Sequence, residues 1–198
     1  IWQKSRAVAD DELRSNPASP RLWLVRFQDA LAPLARGELG RQEFEAGALA
    51  AENLEPTREA LAEAARLLER LGEELAREIP LRRRATGLRA DDLTADELVA
   101  LANHSQHQLA RALKNQALLY PAGGNDRLAL LLAAEQTLDR VRTQLSDEDP
   151  LLRQMQLDLA ESLRLLGRFD QASELLSPLG AEGNEPAVRL RAQAEQVR

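Results

Sequence analysis

The chain has 198 residues, a formal net charge of -6 and no cysteine. This length is sufficient for one large or two small compact domains with a hydrophobic core. The acidic balance argues against general nucleic-acid binding, which requires a concentrated basic field. The absence of cysteine excludes disulfides, thiol nucleophiles and thiolate metal sites. No run approaches the roughly 20 apolar residues that span a bilayer.

Aromatic residues make up only 3% of the chain, so the core must consist mainly of Leu, Ala and Val. Such a core favours helix-on-helix packing, and strand signals are missing throughout. The chain begins at Ile1 and not at Met, which predicts a fragment or a trimmed or processed product. The compartment stays open between a soluble cytoplasmic protein and an exported one whose signal peptide was removed.

The first part of the chain predicts three helices. A helical pattern runs from Trp2 to Arg14, and a second helix is expected over 21–35, where Pro33 should distort or end it. A turn at 36–38 then leads to a third helix over 41–54.

The next helix is long and has a narrow apolar seam. Thr57 is its expected N-cap, and Pro80 is expected to close it. Residues 81–92 should form an irregular connection. The cluster Arg82–Arg84 within it lacks interleaved aromatic residues, so it does not predict a nucleic-acid site. The seam residues recur at steps of three and four: Leu61, Ala64, Leu68, Leu71 and Leu75.

Two helices are predicted between the connection and residue 145. Thr94 and Glu97 have capping-box spacing, which predicts a helix from Ala95 to about Tyr120. A break containing two glycines follows, and Asn125–Asp126 should cap the next helix, which extends over 127–145. The expected buried stripe of this second helix comprises Leu130, Ala133, Ala134, Leu138 and Val141.

Residues 151–186 read as two short helices joined by a tight turn. Asp149 is the expected cap and Pro150 the first helical residue, and Gly167 can adopt the backbone conformation that ends the first helix. Small residues allow the two helices to approach closely, and larger ones fill the angle between them. The positions concerned are Leu159, Ala160, Leu163, Gly167, Phe169, Ala172 and Leu176.

With these positions, residues 151–186 resemble a tetratricopeptide repeat, a helix-turn-helix unit of about 34 residues. Pro178 departs from the pattern by shortening the second helix, and the helix over 187–197 would begin a further repeat or cap the last one. Weaker likenesses occur where Leu13, Asn16 and Pro17 close one repeat before Trp23, and over 108–141.

The resemblance implies an all-α fold, a right-handed tetratricopeptide-like solenoid of about eight helices in antiparallel pairs. An unrelated helical bundle is the alternative. We expect an N-terminal helical half over 1–80 and a repeat-like half over 93–198, with the connection at 81–92, or else one continuous solenoid.

One helical stripe carries the first candidate binding site. His104, His107, Arg111 and Lys114 are spaced by three and four residues, with Asn115 beside them. On the repeat alignment they correspond to the inner, ligand-facing surface, where a basic strip would receive an acidic peptide or a C-terminal carboxylate. The simpler interpretation is a solvated helix face.

The corresponding inner positions on the best-matched repeat are Gln154, Leu157, Glu161 and Arg164. They form a mixed polar surface suited to peptide contacts. We therefore take Gln154, Glu161 and Arg164 as a second group of partner-binding candidates.

Metal and catalytic sites have less support. His104 and His107 would need further donors from Asp91, Asp92 or Glu97, so no metal or cofactor is expected. Two serines are candidates for nucleophilic catalysis, but neither lies in a strand-turn-helix context. They are Ser105 and Ser173.

The resemblance thus implies a non-catalytic scaffold that binds a protein or an extended peptide on its inner helical face, with neither nucleic acid nor cofactor. Two alternatives remain at this point. One is a structural spacer or assembly domain of a larger protein without a groove ligand. The other is a metal-dependent enzyme that uses His104 and His107.

Overall fold

A computed structural model describes residues 7–8, 11–12, 14–15, 19, 21–87, 91–181 and 184–197. These residues contain no strand, which confirms the predicted all-α class, and the three longest stretches contain seven α-helices. Part of the predicted Trp2–Arg14 helix and the repeat end at Leu13, Asn16 and Pro17 lie outside the described residues. The helices are α1 (Leu22–Glu45), α2 (Glu55–Arg84), α3 (Ala95–Ala117), α4 (Asn125–Arg142), α5 (Pro150–Leu165), α6 (Phe169–Leu179) and α7 (Pro186–Val197).

Helix α1 replaces two predicted helices, because neither Pro33 nor the expected turn at 36–38 interrupts it. Pro33 is buried within the helix, so packing outweighs the backbone hydrogen bond that proline removes. Gly37 and Gly40 allow α1 to approach α2 closely, since a Cβ atom at either position would lie 2.4 Å from a side chain of α2. The prediction that glycine marks a turn here was therefore wrong. The partner side chains are Leu61 and Thr57.

The predicted third helix over 41–54 is also wrong beyond Glu45. The chain turns at Gly47, whose φ of 72° lies in the left-handed region that glycine tolerates. A short 3-10 helix, Ala51–Asn53, then precedes α2.

Helix α2 differs from its prediction at both ends. It begins at Glu55, and Thr57 is buried inside its first turn against Gly40 instead of capping it. The helix also continues through Pro80 to Arg84, where three basic residues in the last turn suit the negative end of the helix dipole. The predicted seam is confirmed, because all its members are buried: Leu61, Ala64, Leu68, Leu71 and Leu75.

Helix α3 begins with the predicted capping box. The Thr94 backbone N–H donates to Glu97 Oε2 at 2.7 Å, and the Thr94 hydroxyl accepts from the Glu97 N–H at 3.2 Å. The helix ends at Ala117, three residues before Tyr120.

Helix α4 follows Gly124, with no side-chain cap from Asn125 or Asp126, so that capping prediction was wrong. It ends at Arg142, earlier than predicted. Its buried residues shift slightly from the expected stripe, since Leu130 and Ala133 are only half-buried and Leu131 is buried.

The α5–α6 hairpin follows its prediction closely. The Asp149 carboxylate accepts from the Leu151 N–H at 2.8 Å, and Gly167 has a φ of 76° at the turn. Ala160 and Ala172 are buried where the two helices meet. Phe169 does not fill the angle between them. It is the first residue of α6, and its side chain is 64% exposed.

Each helix packs against the next one in the chain. In addition, α1 contacts α3, α3 contacts α5, and α5 contacts α7. The odd-numbered helices therefore lie beside one another along one side of the molecule. None of the described helices combines the length and apolar character that crossing a membrane requires.

Candidate functional site

A cavity of about 360 Å³ opens between the odd-numbered helices, and we call it the charged cavity. Helix α3 lies between α1 on one side and α5 and α7 on the other, and all four helices contribute lining residues. Nearly all of its lining is polar. The lining residues are Glu38, Arg41, Gln42, His107, Arg111, Lys114, Asn115, Leu118, Gln154, Asp158, Glu161 and Arg191.

The predicted stripe on α3 supplies four of these residues. His107, Arg111, Lys114 and Asn115 line the cavity, as expected for residues separated by one helical turn. His104 is exposed and does not line it, because it lies one turn closer to the start of α3. The part of the strip that lines the cavity is not a free basic surface, since His107, Arg111 and Lys114 each contact an acidic side chain.

Asp158 of α5 is the centre of this pairing. Its carboxylate is 6% exposed and accepts hydrogen bonds from three side chains, two on α3 and one on α7. Oδ2 lies 2.7 Å from His107 Nε2, while Oδ1 lies 3.1 Å from Lys114 Nζ and 2.5 Å from Arg191 Nη2. Burial alone would raise the pKa of Asp158. The His107 hydrogen bond and the charges of Lys114 and Arg191 outweigh burial and hold that pKa well below its usual range.

The anionic state of Asp158 determines which ring nitrogen of His107 donates the hydrogen bond between them. A carboxylate can only accept, so Nε2 of His107 carries the proton of the 2.7 Å hydrogen bond. Nδ1 of the same ring is buried and has no hydrogen-bond partner among the described residues. When the imidazole is neutral, this atom is therefore a hydrogen-bond acceptor.

Glu161 lies one turn after Asp158 and extends the cluster. Its Oε2 accepts from Lys114 Nζ at 2.7 Å and lies 3.4 Å from Arg191 Nη2. Burial and the negative charge of Asp158 would raise the pKa of Glu161. The charge and hydrogen bond of Lys114, with the charge of Arg191, outweigh them and lower that pKa.

A second set of contacts joins α1 to α3 across the cavity. Arg111 Nη2 donates to Glu38 Oε1 at 2.7 Å, and Asn115 Nδ2 donates to the same oxygen at 3.0 Å. Asn115 also donates to the Arg111 carbonyl at 2.8 Å. These bonds fix side chains that would otherwise sample many rotamers, so this side of the cavity is preorganised.

The predicted residues on α5 divide into two groups. Gln154 and Glu161 line the cavity, whereas Arg164 lies outside it and donates from Nε to Glu195 Oε2 at 3.0 Å. Leu157 is buried in the core, and its neighbour Asp158 lies in the cavity instead. An aspartate within the apolar segment 157–160 was the available signal for this residue.

Three further charged lining residues had no signal in the sequence. Glu38 and Arg41 lie in α1, where a turn was expected near Glu38, and Arg191 comes from α7. Their position depends on how distant helices pack against α3 and α5.

Among the described residues, no group suited to a metal ion is present, and neither candidate serine lines the cavity. The described part of the chain contains no group of three or more histidine, aspartate, glutamate or cysteine residues able to hold a metal ion. Ser105 is buried and donates to the Leu68 carbonyl at 3.2 Å, while Ser173 is exposed on α6. The charged and amide side chains that line the cavity can hold polar groups through fixed charges and hydrogen bonds.

Comparison with protein-family models, curated proteins and solved structures finds no match to this chain. The resemblance of residues 151–186 to a tetratricopeptide repeat therefore rests on the sequence pattern of that segment.

Proposed function

We propose that the chain is a tetratricopeptide-like helical solenoid that acts as a non-catalytic scaffold, with the charged cavity binding a protein or an extended peptide. The observation that carries this proposal is the origin of the cavity lining. With Leu118 just after α3, the lining residues come from α1, α3, α5 and α7, which are the first helices of successive hairpins. In arrays of helical hairpins, one layer of helices lines an extended binding surface.

The helix contacts support the same proposal. Consecutive helices pack together, and each odd-numbered helix also contacts the next odd-numbered one. This neighbour-to-neighbour pattern is typical of stacked repeats. The continuous core from α3 to α7 agrees with it, because α5 buries apolar residues against its neighbours on both sides.

The polar lining indicates how a partner would be held. Salt bridges within the cavity already hold Arg111, Lys114 and Glu161 in place, so their remaining hydrogen-bonding capacity has a fixed direction. Gln42 and Gln154 are exposed beside them and offer amide groups that match a peptide backbone. A polar surface of this kind binds through directed contacts more than through apolar burial.

Site-specific photo-cross-linking tests the proposal. A benzoylphenylalanine residue replaces Gln154 in the charged cavity, and in a matched variant it replaces Gln136, an exposed glutamine of α4 outside the cavity. In an extract of the cells that produce the chain, we expect position 154 to cross-link one defined polypeptide that position 136 does not.

The specificity of that product can be tested in turn. Arg111→Gln should weaken the cross-link at position 154, because it removes a charged group from the cavity and one of the two donors that hold Glu38. Circular dichroism of each variant shows whether the helices remain folded. Equal cross-linking at positions 154 and 136, or none at either, would contradict the scaffold and favour the structural spacer.

A further inference from the structure

Helix α7 is attached to α5 largely through charged groups. Only two of its twelve residues, Ala192 and Glu195, are buried. Arg191 contacts Asp158 and Glu161, and Glu195 accepts from Arg164 at 3.0 Å, so each of these two charged groups of α7 faces an opposite charge on α5. Elements with few buried apolar contacts open at lower free energy than the core of the same protein. Helix α7 is therefore the part of this cluster that detaches from α5 at the lowest free energy.

The charges beneath α7 balance only while Arg191 is present. Asp158 and Glu161, which we call the acid pair, carry two negative charges, and Lys114 supplies one positive charge. Arg191 supplies the second. Its side chain is 42% exposed, against 8% for Lys114, so Arg191 is the accessible cation and Lys114 is the fixed one. Without Arg191, the acid pair and Lys114 would have one negative charge in excess.

We propose that the acid pair is a receptor for a guanidinium group, which Arg191 occupies in the free chain and an arginine side chain of the partner occupies in the complex. This inference rests on the proposed function only in that both place the partner in the charged cavity. The partner is thereby specified as a segment that contains arginine, and α7 occupies the site until that segment binds.

The acid pair holds one ammonium and one guanidinium in the free chain. Nη2 of Arg191 lies 2.5 Å from Asp158 Oδ1 and 3.4 Å from Glu161 Oε2, and Lys114 Nζ contacts the same two oxygens from the buried side. Arginine provides five donors in a rigid fork, whereas lysine is a compact and strongly hydrated point charge. The second oxygen of Asp158 is fixed by His107, which keeps the carboxylate in the orientation that receives the guanidinium.

The test uses the whole chain with Arg191→Ala and a small probe, N-acetyl-arginine amide. Only two histidines are present, and they serve as signal and reference in NMR spectra of the imidazole rings. His107 contacts Asp158, whereas His104 is exposed outside the cavity. We expect the probe to shift the His107 signals saturably and to leave the His104 signals unchanged.

Four controls define the result. The uncharged isostere N-acetyl-citrulline amide should have no effect at the same concentration. Arg189→Ala is the matched variant, because Arg189 lies on α7 and makes no side-chain hydrogen bond or ion pair with the described residues. Both this variant and the unaltered chain should bind the arginine probe at least roughly tenfold more weakly than Arg191→Ala, since Arg191 competes in them. Adding Glu161→Gln to Arg191→Ala should also weaken binding by roughly tenfold.

Equal effects of the arginine and citrulline probes, or equal binding by Arg191→Ala and Arg189→Ala, would overturn the guanidinium receptor. Circular dichroism and the retained His107 signal show whether Arg191→Ala is folded. Because no partner takes part in the titration, its failure overturns this inference alone. Failure of the cross-link at position 154 overturns the scaffold, and with it the partner as the source of the arginine, while the titration still decides whether the acid pair binds guanidinium.

Discussion

His107 and Asp158 join α3 to α5 through a hydrogen bond of 2.7 Å that lies almost entirely out of contact with solvent. The two residues are 51 positions apart in the chain, and the same carboxylate also holds Lys114 and Arg191. Asp158 is therefore the point at which α3, α5 and α7 meet.

Replacing Asp158 with asparagine should lower the free energy of unfolding substantially. The variant leaves His107 buried without its anionic partner and removes one of the two carboxylates that pair with Lys114, and breaking a buried ion pair costs about 3 kcal/mol or more. Urea unfolding followed by circular dichroism measures the change. Asp147→Asn is the matched control, since Asp147 lies exposed in a turn. Equal stability of the two variants would show that the charge cluster contributes nothing to folding.

The free energy of unfolding should decrease on acidification, because the carboxylates of the acid pair become protonated. Both carboxylates have a pKa in the folded chain below that in the unfolded chain, so protonation favours unfolding. Their contribution is fully present above the unfolded pKa values, which are about 3.9 for Asp and 4.3 for Glu. It is lost as the pH decreases through the folded pKa values.

Urea unfolding at a series of pH values measures this dependence. The double variant Asp158→Asn, Glu161→Gln should show a smaller loss of stability below about pH 4 than the unaltered chain. Identical slopes in the two proteins would contradict the assigned pairing.

Alanine should be tolerated very differently at two helical glycines. A Cβ atom at Gly37 would lie 2.4 Å from Leu61 Cγ, in the core between α1 and α2, so we expect Gly37→Ala to destabilise the fold by about 1 to 3 kcal/mol. At Gly72, the nearest atom is the flexible end of Gln106, which can move away. Gly72→Ala should then be neutral, or stabilising by up to about 1 kcal/mol. Thermal unfolding of both variants checks the order, and the reverse order would contradict the close approach of α1 and α2.

Substitution of Gly167 should destabilise the fold because of its backbone conformation and not because of steric contacts. Its φ of 76° disfavours any residue with a Cβ atom, although the space around it is open, so Gly167→Ala should cost about 1 kcal/mol or slightly more. Gly180, at the end of α6, has a φ of -77° and ordinary contacts. A loss of stability in Gly180→Ala as large as in Gly167→Ala would argue against the turn geometry.

Local signals in the sequence predicted some elements well. The capping box of Thr94 and Glu97 and the turn at Gly167 depend on residues within a few positions of one another, so their meaning does not require a distant partner. The predicted stripe of His104, His107, Arg111 and Lys114, with Asn115 beside it, depends on helical periodicity alone, and all of these residues except His104 line the cavity.

The predictions failed where the structural role of a residue depends on its packing against another helix. Gly37 signals a turn in isolation, yet in the structure it is the place where Leu61 packs against α1. The cavity shows the same limit, because Glu38 and Arg191 contact the stripe or its partner Asp158 only through the packing of helices distant in the chain. The predicted basic strip lacked its counter-charges for this reason.

The odd-numbered helices are joined by polar contacts as well as by apolar packing. Arg111 and Glu38 connect α1 to α3, and their side chains are more exposed than Lys114 and Asp158, which connect α3 to α5. Added salt screens exposed charges much more than buried ones. The distance between α1 and α3 should therefore increase at lower ionic strength than the distance between α3 and α5. The cavity would then widen first on the side of α1. The ionic strength of the solution would then set how far the charged cavity opens.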